Sequence, residues 1–131
     1  MKKIFFVGLL SIISMCTVAQ TNREKKELIQ KLLDVDVCQE FYNAVEIDGV
    51  QRLCIFDNGI IPSNLSVEKF GNPVVFYSIE ELFFRNIDKY LHFQLFTHSE
   101  TGAKIVFKYN SNSPNVELEF EKINGEWLLA K

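Results

Sequence analysis

A chain of 131 residues with 14 Lys and Arg against 17 Asp and Glu carries a net charge of −3, and its basic residues are scattered. It therefore lacks the clustered cationic surface on which binding to nucleic acid or anionic lipid rests. The length suits one hydrophobic core and not two, and cysteines without C-x-x-C spacing give redox or zinc chemistry no support.

Lys2 and Lys3 precede an apolar run over residues 4–13, and small and polar residues follow as far as Thr17-Val18-Ala19-Gln20. That order predicts a secretory signal peptide over 1–19, cut after Ala19, and a single α+β domain over 20–131. The apolar core of about ten residues is short of the ~20 that a membrane span needs. Ile13-Ser14-Met15-Cys16 offers a lesser alternative, a lipid anchor at Cys16, but Met15 stands where a lipoprotein box places a small residue. The expectation is export to the periplasm or beyond, with no membrane span. Loss of Lys2 and Lys3 with the leader brings the net charge to about −5, in the range of a soluble domain.

In the mature chain, Thr21 or Asn22 can cap a helix that runs to about Leu33, with Leu28, Ile29, Leu32 and Leu33 as its apolar stripe. A second helical piece is expected over about 37–45, with Phe41, Tyr42 and Val45 on one side and Asp48-Gly49 as the closing turn. Leu53-Cys54-Ile55-Phe56 could be a strand or a helical turn by periodicity alone. Its β-branched and aromatic content, and the Asp57-Asn58-Gly59 turn beyond it, favour a strand. Residues 60–73 read as an irregular connection and Val74-Val75-Phe76-Tyr77 as a strand. Ser78 then caps a short helix with Glu80 and Glu81 in its first turn, expected to carry Leu82, Phe83 and Phe84 into the core.

The remainder predicts a β-meander over 89–98, 103–110, 116–123 and 126–131. Val116, Leu118 and Phe120 alternate with Glu117, Glu119 and Glu121, the period of a half-buried strand. Asn124-Gly125 is a two-residue hairpin loop that sets Ile123 against Glu126. Phe120 then faces Leu129 and Lys122 faces Trp127, which puts Trp127 on the apolar face.

Candidate chemistry is sparse. Cys38 and Cys54 could form a disulfide closing a loop of about 15 residues, worth ~3 kcal/mol in the chain-entropy model, or could be separate buried thiols. His92 and His98 share a strand and a parity but lie roughly 20 Å apart, too far to share a metal, and His98 at the turn suggests a solvated ring. The acidic row on 116–123 reads as a wet face, with Lys104 and Lys108 on the neighbouring strand to pair with it. A Ser99–Gly102 turn would set His92 opposite Tyr109 on one face, so Tyr90, His92 and Tyr109 are the candidate lining of a ligand pocket. No metal site, cofactor or catalytic constellation is indicated.

Phe41-Tyr42-Asn43-Ala44-Val45, Asp48 and Phe56-Asp57-Asn58, together with the hairpin Phe120–Trp127, resemble segments of nuclear-transport-factor-like and cystatin-like secreted bacterial domains. That resemblance implies helices packed on a strongly curved antiparallel sheet, in places enclosing a pocket, and a helix over 50–57; with the elements read above, the expected fold is α+β, one or two N-terminal helices laid across an antiparallel sheet of four to six strands that ends in a β-meander. The Gln-x-Val-x-Gly inhibitor loop of true cystatins is absent, so protease inhibition is not implied. The combined expectation is an exported, non-enzymatic domain that binds a small molecule or protein on the concave sheet face. Two alternatives stay open. One is a small enzyme using Asp48, Asp57 or His92 in a pocket. The other is a toxin-neutralising or envelope-assembly partner recognised by an exposed apolar patch.

Overall fold

The computed structural model describes residues 22–130; the expected leader over 1–19, its expected cut after Ala19 and the alternative lipid anchor at Cys16 lie outside the described residues. The chain is α+β. Helix α1 covers 22–34 and buries Leu28, Ile29, Leu32 and Leu33 completely, the stripe expected of an amphipathic helix. The expected second helix over 37–45 is instead a single 3-10 segment, Asp36–Phe41, and the chain then extends into strand β1, Val45–Ile47. Asp48 and Gly49 both adopt positive φ and join β1 to β2 (Val50–Arg52) as a two-residue hairpin turn. The Asp-Gly pair therefore turns a strand back and does not stop a helix.

Strand β3, Cys54–Phe56, follows at once. Residues 50–57 are thus largely extended, where the family resemblance implies helix. Within the stretch read as irregular, β4 (Glu68–Lys69) and β5 (Asn72–Pro73) make a small hairpin about Phe70-Gly71. Strand β6 is Val75–Tyr77, α2 is Ile79–Phe84, and the meander is β7 (His92–His98), β8 (Gly102–Lys108), β9 (Val116–Ile123) and β10 (Glu126–Leu129).

The meander is one four-stranded antiparallel sheet ordered β10-β9-β8-β7. Ile123 pairs with Glu126, Lys122 with Trp127 and Phe120 with Leu129, the register that the Asn-Gly turn predicts. Leu118, Phe120 and Trp127 are buried while Glu117, Glu119 and Glu121 face water, and Lys104 stands opposite Glu119. A second ladder pairs β3 with β6 in parallel. It joins the chain entering β7 through Leu91, whose N–H donates to the Cys54 carbonyl while its own carbonyl accepts from Phe56 N–H, each at 2.9 Å.

Phe93, Ile105, Phe107, Leu118, Phe120 and Trp127 from the sheet form one buried cluster with the four α1 residues. The C-terminal carbonyls of α1, which a helix leaves unpaired, are met by side chains from other elements. The Tyr42 hydroxyl donates to Leu32 O at 2.5 Å. Gln39 Nε2 and Lys69 Nζ donate to Leu33 O at 2.9 and 3.0 Å. The Gln30 amide grips the edge of β4 from both sides, donating to Glu68 O at 3.0 Å and accepting from Glu68 N–H at 2.9 Å.

Phe70 sits at φ 58, a left-handed backbone that a bulky side chain rarely adopts, in a hairpin position suited to Asn or Gly. Its ring is 40% exposed and lies 5.6 Å from Lys69 Nζ. Phe70→Asn is accordingly expected to raise stability by roughly 0.5–1 kcal/mol by relieving that backbone. A drop in the thermal midpoint would mean that the ring contact outweighs the strain.

Candidate functional site

The three residues read as one lining do not come together. A β-bulge between Phe93 and Leu95 shifts the β7–β8 register, so His92 stands opposite Lys108 and not Tyr109. Asn58 Nδ2 donates to the Phe93 carbonyl at 2.9 Å at that irregularity. Tyr109 therefore falls on the other face, stacked on Phe41 with ring centroids 5.0 Å apart and on the same side as Phe107. Tyr90 and His92 instead meet Phe56, at 6.2 and 5.1 Å. Burial, then Lys108 across the strand, pushes the His92 pKa below its ordinary value.

The same bulge separates the two histidines. His98, on the core face with Phe96, is largely covered and not solvated; its Nδ1 lies 3.9 Å from Glu24 Oε2 of α1, and the other Glu24 oxygen accepts from Lys122 Nζ at 2.6 Å. Cys38 and Cys54 are both buried and stand as free thiols. Burial raises both, Cys54 to about 11. Asp48 and Asp57 are exposed at turns. Among the described residues, no group of three or more His, Cys, Asp or Glu side chains could hold a metal ion, and no helix is long and apolar enough to cross a membrane.

The surface that departs most from expectation is α2. Only Leu82 is buried; Phe83 is 85% exposed, Phe84 82% and Ile79 50%. At 3.6 residues per turn, Ile79 and Phe83 share one face of α2, Glu80 and Phe84 the adjoining one, and Leu82 lies on the side opposite Glu80 and Phe84. The expectation that both phenylalanines enter the core fails because a helix of six residues turns too little of its surface inward. Sequence reasoning missed them by counting apolar residues; the i, i+4 pairing of Ile79 with Phe83 was the available signal.

Both ends of α2 are fastened. Ser78 Oγ accepts from Glu81 N–H at 3.1 Å. At the other end Asn86, at φ 56, donates its N–H to Phe83 O at 3.1 Å, and Ile87 N–H donates to Leu82 O at 2.9 Å, the paired bonds of a Schellman cap. Arg85 Nε contacts Glu81 Oε1 at 2.6 Å and its guanidinium lies 4.9 Å from the Tyr77 ring centre. The two phenylalanines thus project from a capped, tied-down turn, beside an open depression of about 710 Å³ lined by Ile79, Glu80, Phe83, Phe84 and Asn86. At about 200 Å² per ring, their exposed parts offer on the order of 300 Å² of apolar surface.

No protein-family model matches the chain, and neither does any curated protein or solved structure.

Proposed function

We propose that the mature chain is an exported, non-enzymatic interaction module that docks a protein partner through the outward face of α2. The observation that carries this is the exposure of Phe83 and Phe84, 85% and 82%, on a helix capped at both ends. Contiguous apolar surface of roughly 300–600 Å² on a monomer is often functional, and a backbone turn already fastened at both ends need not be ordered on binding. The order of Lys2 and Lys3, an apolar run and small residues up to Ala19 supports export. The frame we propose for this surface is the nuclear-transport-factor-like one, with the N-terminal helix laid across a curved sheet. The dispersal of Tyr90, His92 and Tyr109 over two faces moves the binding surface away from the three-residue lining. The exposed Asp48 and Asp57 lend no support to a buried acid pocket.

A photo-reactive phenylalanine at position 83 tests this in the exporting cell, with the same group at Leu128, itself partly exposed on β10, as control. One discrete protein adduct from position 83, absent from 128 and abolished by Phe84→Ser, is expected. Equal adducts from both positions, or none from 83, would reject the assignment.

A further inference from the structure

We infer that the occupant of the α2 face is an apolar segment of a partner protein carrying Lys or Arg; this rests on the docking role proposed above and adds the sign of the partner's charge. Glu80 lines the depression between Ile79, Phe83 and Phe84, and among the described residues it joins no ion pair. The neighbouring Glu81 is matched by Arg85 at 2.6 Å, and that guanidinium is also engaged by the Tyr77 ring. The apolar face therefore carries an uncompensated carboxylate at its rim, on a domain whose net charge is about −5 without its leader. A cationic group on the incoming segment would meet it while apolar side chains cover the two rings, a polar rim about an apolar centre.

Two other occupants fit less well. A second copy docking the same face would bring Glu80 towards its own image, since a two-fold contact uses the same patch twice. An anionic lipid surface would be repelled by Glu80 and by the net charge, with no cationic cluster to offset either.

The probes are a short amphipathic Leu/Lys peptide, its Leu/Glu counterpart, and vesicles of zwitterionic or anionic phospholipid, each titrated into the mature chain at physiological salt. The Leu/Lys peptide is expected to bind, with Phe83→Ser and Phe84→Ser together weakening it by about tenfold or more. Glu80→Gln should weaken it by about twofold to fivefold, the share of an exposed charge pair. If the Leu/Glu peptide binds as tightly and both depend on Phe83 and Phe84, the docking face stands and the charge assignment falls. Ring-dependent binding to vesicles, or ring-dependent self-association in sedimentation, would replace the partner by a membrane or by a second copy. If no probe binds, or if binding ignores the two rings, the charge assignment and the docking role fall together. Unchanged thermal midpoints of the variants distinguish lost contact from lost folding.

Discussion

Phe107→Ala is expected to lower the free energy of unfolding by about 3–5 kcal/mol, the usual cost of emptying a buried aromatic site. Phe107 is fully buried on β8, an inner strand of the meander, with the Phe93 ring 5.7 Å away and the Phe41 ring 6.3 Å away. Its removal leaves a hole that strand pairing on both sides keeps from collapsing. Against a total stability of about 5–15 kcal/mol, such a loss is a large part of the whole. Phe83→Ala, which deletes an equal volume from the surface, should change stability by no more than about 0.5 kcal/mol. Urea unfolding measures both. A loss below about 1.5 kcal/mol at Phe107 would mean that the cluster repacks and that its walls are not fixed.

Tyr42→Phe is expected to cost about 1–3 kcal/mol at neutral pH, because it strips the Leu32 carbonyl of a buried donor while leaving the ring in place. The same variant should flatten the alkaline limb of the stability curve. Burial, then the neighbouring Cys38, raises the Tyr42 hydroxyl above its ordinary value near 10, and burial raises Cys38 and lifts Cys54 to about 11. Groups raised on folding give their full stabilisation below their unfolded values, here near 9 for the thiols and 10 for the phenol. They lose it as pH climbs towards the folded values. Unfolding midpoints should therefore fall from about pH 9 upward, and less steeply in Tyr42→Phe, which retains only the thiol contribution. Parallel curves for the two proteins would show that Tyr42 does not ionise on unfolding.

The C-terminal hairpin was legible because its determinants are local. Asn124-Gly125 fixes the turn, and one turn fixes every pair on β9 and β10, so the alternation of Leu118 and Phe120 with glutamates decides the buried face. The β7–β8 register was not legible, since one extra residue between Phe93 and Leu95 reverses the parity of everything on one side of it. No residue type announces that insertion; the Asn58 amide that reaches Phe93 comes from 35 positions earlier. Asp48-Gly49 shows the complementary limit. The dipeptide identifies a turn but not what enters it, and the β-branched Val45, Ile47 and Val50 proved a better guide than the Phe41-Tyr42 helical spacing. The α2 surface escaped for a geometric reason, because hydrophobicity alone does not say how much of a short helix its neighbours cover.

Trp127 is the chain's one tryptophan. It is buried against the core, without a hydrogen-bond partner for its Nε1, and Lys122 Nζ lies 5.4 Å from its ring centre. Lys122 is held in turn by Glu24 in the first turn of α1. The molecule therefore contains its own optical gauge of helix docking. Emission from this indole should redden as soon as α1 peels from the sheet, ahead of any loss of strand signal in circular dichroism.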